Sequence, residues 1–229
     1  MERNVIRLFI GYDKRVPVAY NVLAHSVQRQ ASQPVSITPL MLSQLKGLMT
    51  REPHPLQSTD FAFSRFLVPY LCNFQGWAVF MDNDMLLLDD IAKLWSLRDE
   101  RYAVQVVKHQ HEPREETKFL NQTQTKYQKK NWSSVMLMNC NRCKALTKEY
   151  VNSASGLELH QFKWLESDEL IGSIDQRWNF LAGVYPAIPI SQISNIHYTI
   201  GGPFYEEYKN CDLASQWFVE RDIMLHTEN

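Results

Sequence analysis

The fold of this chain is decided by the stretch Trp77-Ala78-Val79-Phe80-Met81-Asp82-Asn83-Asp84-Met85-Leu86-Leu87-Leu88. Residues 77–81 form an apolar run that is rich in strand-forming side chains and too short for a core helix, so they predict a buried strand. Two acids one residue apart follow this strand, and a second apolar run follows them. Carboxylates at the end of a buried strand are unfavourable unless a cation neutralises them, so a divalent metal site is one interpretation of the stretch.

Asp82 and Asp84 are the candidate metal ligands, because Mg²⁺ and Mn²⁺ prefer oxygen ligands in octahedral geometry. On an ideal strand, side chains at positions i and i+2 point to one face, so both carboxylates can converge on one ion while Asn83 points elsewhere. The alternative is a strand that ends in an ordinary acidic turn, as Asp89-Asp90 indicates further along. The stretch by itself favours neither interpretation.

The composition is that of a globular enzyme or binding domain. The chain has 229 residues, 45% hydrophobic and 21% charged, which predicts one domain over residues 1–229. A formal net charge of -1 gives no electrostatic reason to expect nucleic acid or an anionic membrane as a partner. We find no apolar run of membrane-spanning length and no signal-peptide core, so we expect a soluble, cytoplasmic protein.

The four cysteines include one C-x-x-C pair, Cys140 and Cys143. Such a pair is compatible with zinc or redox chemistry. A structural zinc site needs four ligands, however, and the sequence has no second C-x-x-C and no paired histidines to complete it. Reduced, partly buried thiols are the favoured interpretation.

The beginning of the chain predicts a β-α-β unit, with a strand over Arg7–Asp13, a helix over Pro17–Gln30 and a strand over Val35–Leu40. This order favours a parallel sheet that binds ligands at the C-terminal ends of its strands. Tyr12 and Asp13 lie at such an end. Tyr12 could stack on a base whose edge Asp13 hydrogen-bonds, or both could be ordinary loop residues.

Arg65 lies in an aromatic segment, Asp60–Leu71, which predicts a helix capped by Thr59 or Asp60. An arginine among aromatic residues needs an anionic partner, so we expect it to pair with Asp82 or with a bound diphosphate. The alternative is a side chain that extends to solvent.

The polar residues 109–130 predict a mobile loop or lid, whose Lys126, Lys129 and Lys130 either meet phosphates or form a solvated basic face.

Three features in the last third of the chain are further candidates. His197 closes an apolar strand and becomes a third metal ligand if it meets the two acids, whereas a lone histidine is more often structural. The backbone of Gly201-Gly202 can approach phosphate oxygens closely. Asp175 and Gln176 suit ligand hydroxyl groups, although Asp175 would also serve as a simple helix cap.

Taken in order, these segments resemble the GT-A glycosyltransferases, specifically the family 8-like sugar-nucleotide transferases. The matching segments are Phe9–Asp13, Ser64–Phe66, Phe80–Asp84, Ser133–Asn139, Asp175-Gln176 and His197–Phe204. The resemblance implies an α/β fold of the GT-A type, a Rossmann-like mixed, mainly parallel sheet flanked by helices. It also implies a glycosyltransferase that uses a nucleotide-diphosphate sugar, most often a UDP-sugar, with Mn²⁺ or Mg²⁺ and a glycan or other hydroxyl acceptor.

The resemblance also assigns roles to individual residues. Asp82, Asp84 and His197 would hold the metal, with Asp82 also near the ribose. The remaining implied roles are Tyr12 and Asp13 beside the base, Arg65 on the ribose-phosphate side, Gly201 and Gly202 beside the diphosphate, and Asp175 and Gln176 facing the transferred sugar and its acceptor. Family 8-like enzymes usually retain the anomeric configuration, and front-face attack with Gln176 as a positioning group fits the absence of an obvious covalent nucleophile.

Two departures from the family pattern concern donor and acceptor identity. The family commonly has a lysine near the final glycine, where this chain has Gly201-Gly202-Pro203-Phe204, so another cation must serve the diphosphate. The family's asparagine-small-glycine step is replaced by Trp132-Ser133-Ser134. Two other functions stay open: a nucleotide-sugar-binding module without turnover, and a metal-dependent phosphohydrolase or nucleotidyltransferase.

Overall fold

The structure is a computed structural model that describes residues 5–52, 57, 59–110, 117–118, 122–123 and 129–226. The strands are β1 Ile6–Gly11, β2 Val35–Leu40, β3 Trp77–Met81, β4 Met85–Leu87, β5 Val104–Val106, β6 Thr117–Lys118, β7 Gln122–Thr123, β8 Val135–Asn139, β9 Ile171–Ser173, β10 Phe180–Leu181 and β11 Asn195–His197. The α-helices are α1 Pro17–Gln30, α2 Val68–Leu71, α3 Ile91–Ser96, α4 Lys148–Ser153, α5 Gly156–His160 and α6 Ala214–Leu225.

The central sheet has six strands in the order β2-β1-β3-β8-β5-β9. The pairs β1/β2, β1/β3 and β5/β9 are parallel, and β8 runs antiparallel to both β3 and β5. A second, three-stranded sheet has the order β10-β11-β4. The predicted α/β fold with a mixed, mainly parallel sheet is therefore confirmed.

The β-α-β opening follows directly from the sequence. Strands β1 and β2 pair in parallel from Ile6↔Val35 to Gly11↔Leu40, and α1 begins at Pro17, whose fixed φ suits the first turn. Alternate side chains of β1 enter different clusters: Phe9 packs with Phe80 on one face of the sheet, and Leu8 packs with Val79 on the other. This period of two is what a strand buried on both faces requires.

Helix α1 is fixed to the end of the chain by a buried carboxylate on α6. Glu220 is 3% exposed and meets His25 Nδ1 at 2.7 Å and Arg29 Nη2 at 2.6 Å. A buried carboxylate needs such partners, because leaving it unpaired would be strongly unfavourable. Helix α6 therefore packs against α1. The sequence predicts this helix over residues 212–224, and the structure has it at Ala214–Leu225.

The segment before β3 differs from its prediction. Instead of a helix over Asp60–Leu71, it has turns, a short 3-10 helix at Ser64–Leu67, and then α2. Neither Thr59 nor Asp60 caps this 3-10 helix. The backbone N–H of Asp60 is instead directed at the Asp13 carboxylate, 3.3 Å away. Asp60 therefore makes a contact with a segment remote in sequence and does not cap the helix.

Two other elements begin later in the chain than the sequence predicts. The sequence of residues 132–139 predicts a strand, but the strand begins only at β8, because Trp132–Ser134 form a 3-10 turn. The sequence also predicts a helix near residues 144–151, and this helix begins only at α4, where the Thr147 side chain accepts the N–H of Tyr150. Most of the predicted lid lies outside the described residues, including residues 111–116, 119–121 and 124–128, and with them Lys126.

All four cysteines lie in the described part of the chain and are free thiols. Cys140 and Cys143 are completely buried, and the Cys143 thiol donates toward the carbonyls of Ala103 and Asn139. Burial raises the pKa of Cys143 to about 12. The C-x-x-C pair therefore contributes to the core, as free thiols more deeply buried than we expected.

Among the described helices, none has the length and apolar character that crossing a membrane requires.

Candidate active site

The two acids of the central stretch lie in the turn between β3 and β4. Strand β4 belongs to the three-stranded sheet and not to the central one. It pairs antiparallel with β11, so that Met85 faces His197. The Tyr198 N–H also donates to the Asp84 carbonyl over 2.9 Å. This pairing brings a residue more than a hundred positions downstream to the end of β3, where the sequence predicted a metal.

Asp82, Asp84 and His197 each offer one ligand atom, and these atoms all lie within 4.8 Å of one another. His197 is 2% exposed, and its Nε2 is 3.3 Å from Asp84 Oδ1. Two carboxylates and one imidazole form a donor set that suits Mn²⁺ or Mg²⁺, with room for further oxygen ligands. The structure therefore brings together the three residues predicted as metal ligands.

Asn83 does not point away from this site, which corrects the expectation from strand alternation. It is 4% exposed and lines the same cleft as Asp84. The alternation fails because β3 ends at Met81 and residues 82–84 form a turn. In the described part of the chain, the buried Nδ2 of Asn83 has no hydrogen-bond partner.

Arg65 holds the first acid in place. Its Nη1 lies 2.7 Å from Asp82 Oδ1 and donates to the Ser133 carbonyl over 3.0 Å. The guanidinium carbon is 5.3 Å from the centroid of the Phe61 ring and 5.0 Å from that of Phe80. The predicted pairing with Asp82 is confirmed, and the alternative of a side chain extended to solvent is wrong, because cation–π contacts and burial hold the guanidinium inside.

Asp13 lies two residues after the end of β1, at the same edge of the sheet, because parallel strands end at a common edge. Its carboxylate is 2% exposed and accepts hydrogen bonds from Arg15 N at 3.0 Å, Arg15 Nε at 2.9 Å and Asp60 N at 3.3 Å. Burial alone would raise the pKa of Asp13, but the Arg15 hydrogen bonds and charge outweigh it and the pKa lies below its ordinary value. Tyr12 is half-buried and makes an edge contact with Tyr20, with 5.5 Å between ring centroids.

A cleft lies beside these residues. Its volume is about 290 Å³, including the part that is open to solvent. The residues that line it are Asp13, Val16, Thr59, Asn83, Asp84, Tyr198, Gly201, Gly202, Phe204 and Tyr205. The two glycines are required by aromatic packing: a Cβ on Gly202 would lie 2.2 Å from the Phe204 ring, and one on Gly201 would lie 2.6 Å from the Tyr208 ring. Burial raises the pKa of Tyr205 to about 12, and the charges of Asp13 and Asp84 contribute to this rise.

Asp175 and Gln176 lie outside this lining. Both are exposed, at the beginning of a 3-10 helix, Gln176–Asn179, that follows β9. The Asp175 side chain accepts the N–H of Arg177 over 2.8 Å, so it acts as a helix cap. The last residue of the same short helix, Asn179, contacts His197 Nδ1.

Sequence reasoning missed Asn179, Arg15 and Tyr205. Asn179 is a buried polar residue between the buried Trp178 and Phe180, and that pattern was the signal that could have found it. Arg15 carries the cationic group paired with Asp13, and its charge acts on Tyr205 in the cleft lining. Of the predicted loop lysines, Lys129 is held by Asp168 at 2.6 Å, and Lys130 is buried.

Comparison with known proteins identifies relatives over most of the chain. The sequence model described as "Glycosyl transferase family 8" matches residues 19–202. The Arabidopsis thaliana protein named "Protein CDI" is 46% identical over 228 residues, which covers 96% of this chain and 88% of that protein.

Solved structures share the fold at low sequence identity. GlyE, a glycosyltransferase of Streptococcus pneumoniae TIGR4, superposes with a TM-score of 0.64 at 12% identity, covering 98% of this chain. This chain spans 63% of the length of that GlyE chain. The galactosyltransferase LgtC, solved with donor and acceptor sugar analogs, gives a TM-score of 0.58 at 11% identity and covers 95% of this chain and 96% of its own. Mouse xyloside xylosyltransferase 1 superposes with a TM-score of 0.53 at 10% identity. The match covers 85% of this chain and 97% of the mouse chain.

Proposed function

Because this chain belongs to glycosyltransferase family 8, we propose that it transfers a sugar from a nucleotide-diphosphate donor, a UDP-sugar, to a hydroxyl group of a glycan or other acceptor. The observation that carries the proposal is the convergence of Asp82, Asp84 and His197 within 4.8 Å. This group lies at the C-terminal edge of the sheet, where open α/β folds bind nucleotides.

The donor set and its surroundings fit a divalent cation. Two carboxylates in a partly buried site repel each other unless a positive charge is nearby, and Arg65 supplies one such charge to Asp82. Asp82, Asp84 and His197 would hold Mn²⁺ or Mg²⁺. When bound, the cation supplies positive charge that neutralises the diphosphate as it leaves.

The protein's own contribution is to orient the donor beside these ligands. The adjacent cleft includes Asn83, whose buried Nδ2 has no partner in the described residues and would donate to an oxygen of the donor. Asp82 would also meet the ribose. Aromatic rings occupy the space that a side chain at Gly201 or Gly202 would need. The backbone of these two glycines would contact the diphosphate.

Base recognition belongs to the end of β1 in this proposal. Tyr12 is half-buried and would stack on the uracil ring. The Asp13 carboxylate already accepts bonds from Arg15 and Asp60, so it would act by fixing this loop beside the base as much as by direct contact.

Arg15 is our candidate for the cation that replaces the family's lysine. It forms an ion pair with Asp13, and its charge acts on the Tyr205 hydroxyl in the cleft lining. Arginine is a strong phosphate partner because its planar fork can donate two parallel hydrogen bonds. Arg15 would therefore contact the diphosphate.

Transfer with retention fits the positions of Asp175 and Gln176. The Asp175 carboxylate is engaged as a helix cap, which makes it a poor covalent nucleophile and supports a positioning role. Gln176, exposed at the beginning of the same helix, would orient the transferred sugar and the acceptor while the acceptor attacks from the face that the diphosphate leaves.

A two-stage experiment tests the proposal. Thermal shift with UDP and UDP-sugars, with and without Mn²⁺, comes first, because a ligand of the folded state raises the melting temperature. Product analysis then separates the alternatives: UDP release supports transfer, phosphate or pyrophosphate release supports a phosphohydrolase or nucleotidyltransferase, and binding without turnover supports a non-catalytic module. Cell fractionation tests the expected cytoplasmic location.

A further inference from the structure

Asn179 connects His197 to two other parts of the chain. Its side chain is completely buried at the end of the 3-10 helix Gln176–Asn179. Its Oδ1 lies 2.8 Å from His197 Nδ1. Its Nδ2 lies 2.9 Å from His109 Nε2 and 3.2 Å from the Asn131 carbonyl oxygen. One amide thus contacts two histidines and one backbone carbonyl.

The Asn131 carbonyl fixes which way the Asn179 amide faces. A carbonyl oxygen can only accept, so the amide atom beside it must be the donor, Nδ2. A reversed amide would place two oxygens, neither of which can donate, 3.2 Å apart in the buried interior, and this is unfavourable. Oδ1 therefore faces His197, and since Oδ1 can only accept, the Nδ1 of His197 carries a proton.

The consequence concerns the other nitrogen of the His197 ring. With Nδ1 protonated, the ring presents Nε2 toward Asp84 Oδ1, 3.3 Å away. We propose that Asn179 is a positioning residue that keeps the His197 proton on Nδ1 and so directs Nε2 at the metal. This inference rests on the metal site in the proposed function. Histidine ligands commonly depend on such a partner for their tautomer and orientation.

His109 extends the same hydrogen-bonded chain. Its Nε2 accepts from Asn179, so its Nδ1 carries the proton and faces the Tyr185 hydroxyl. The His109 carbonyl accepts from Trp132 Nε1 over 3.0 Å. Both flanks of residues 110–130, His109 and Asn131, therefore meet at Asn179.

A purely structural role for Asn179 makes different predictions, and Asn195 provides the matched control. Asn195 is also completely buried, lies on β11 two residues before His197, and donates to the Trp178 carbonyl over 3.0 Å. Loss of either amide removes buried hydrogen bonds and lowers the free energy of unfolding. The proposed role predicts that Asn179 alone controls the His197 ring.

The first measurement is the tautomer of His197 by NMR of protein with ¹⁵N-labelled histidine, without metal, at a pH where the ring is neutral. We expect the proton on Nδ1 in the wild type and in Asn195→Ala. In Asn179→Leu, which keeps the volume and removes the acceptor, the proton moves to Nε2, where Asp84 accepts it. In Asn179→Asp the acceptor beside His197 remains, and so does the proton on Nδ1. The second carboxyl oxygen replaces Nδ2 beside the Asn131 carbonyl, so we expect this variant to have a lower free energy of unfolding than the wild type.

The second measurement is Mn²⁺ affinity by calorimetry without donor. We expect Asn179→Leu to bind Mn²⁺ about 10- to 100-fold more weakly than the wild type, the range typical for loss of such a partner. Asn195→Ala and Asn179→Asp should stay within about threefold of the wild type. If Asn179→Leu does not fold, Asn179→Ala takes its place, because it also removes the acceptor, and the same loss of Mn²⁺ affinity is expected.

The outcomes separate this inference from the proposed function. Failure of the wild type to bind Mn²⁺ would overturn the metal site and the inference together. Normal binding by the wild type, with His197 protonated on Nδ1 and unchanged affinity in Asn179→Leu, would overturn the positioning role alone. A weakened Asn179→Asp that resembles Asn179→Leu would also overturn it, because the amide would then act through its donors.

Discussion

The guanidinium of Arg65 and the carboxylate of Asp82 form a largely buried ion pair at the end of β3, with 2.7 Å between Nη1 and Oδ1. The same Nη1 reaches the Ser133 carbonyl, just before β8. Arg65 thus connects the 3-10 helix, the predicted metal ligand and the neighbouring strand. Removal of one partner from such a pair is more harmful than absence of both, because it leaves a buried charge.

We therefore expect Arg65→Met to lower the free energy of unfolding by about 3 kcal/mol. Saturating Mn²⁺ should recover part of this loss, because a cation on Asp82 takes the place of the guanidinium and stabilises the folded state. Urea unfolding with and without Mn²⁺ measures both effects. The double variant Arg65→Met/Asp82→Asn is the control, and it should be more stable than Arg65→Met alone.

Asp84→Ala should abolish Mn²⁺-dependent UDP release while the protein stays folded. The substitution removes one ligand and also one of two neighbouring negative charges, so we expect the melting temperature to stay within about 3 °C of the wild type. Asp99→Ala is the matched control, because Asp99 is a surface acid paired with Arg101. Undiminished release by folded Asp84→Ala would contradict the role of Asp84.

Arg15→Ala should weaken UDP binding about tenfold if Arg15 contacts the diphosphate, because charge-assisted hydrogen bonds are among the strongest. Arg101 gives a close control. Like Arg15 with Asp13, Arg101 donates its backbone N and its Nε to the acid two positions before it. Calorimetric titration with UDP and Mn²⁺ should show normal affinity for Arg101→Ala, and equal affinity for both variants would contradict the assignment.

The Asp13 carboxylate predicts a pH-dependent contribution to stability. Its pKa is lowered in the folded state from an ordinary value of 3.8, so its stabilisation is present above that value and is lost as the pH falls through the lower, folded-state pKa. Asp13→Asn should therefore be less stable than the wild type at neutral pH, and the difference should shrink below about pH 4. Urea unfolding of both proteins from pH 7 to pH 3 measures it, and a difference that grows on acidification would contradict the assignment.

Gly202→Ala should destabilise the protein by about 1–3 kcal/mol, because the new methyl group would overlap the Phe204 ring. The variant Gly202→Ala/Phe204→Leu removes the overlap and should recover part of the loss. If the single variant is as stable as the wild type, the Phe204 ring moves easily and the glycine is present for another reason.

The sequence predicted best where the physical signal is local. The bounds of α1, β2 and β3 agree with expectation, because Pro17 sets a helix start and short apolar runs between turns set the strands. Asp82 and Asp84 were found for the same reason, since acids at the end of a buried strand are conspicuous in the sequence. The family and fold predicted from the resemblance are confirmed by the family match and by the sheet order.

Contacts between distant segments were not predictable in this way. Nothing in the local pattern indicates that Asp60 donates its N–H to Asp13, or that the helical segment begins only at Ser64. The turn at residues 82–84 breaks the strand period and redirects Asn83. The contact of Asn179 with His197 joins β11 to a 3-10 helix. It depends on the three-stranded sheet β10-β11-β4, which the hydrophobic pattern of the sequence did not predict.

The meeting of His109 and Asn131 at Asn179 has a practical consequence for protein engineering. Their two hydrogen bonds to one amide fix the flanks of the intervening segment from inside the fold. The entropy of closing a loop grows slowly with its length once its ends are held. A sequence of different length can therefore be grafted between these flanks at a small entropic cost, provided that His109 and Asn131 are kept.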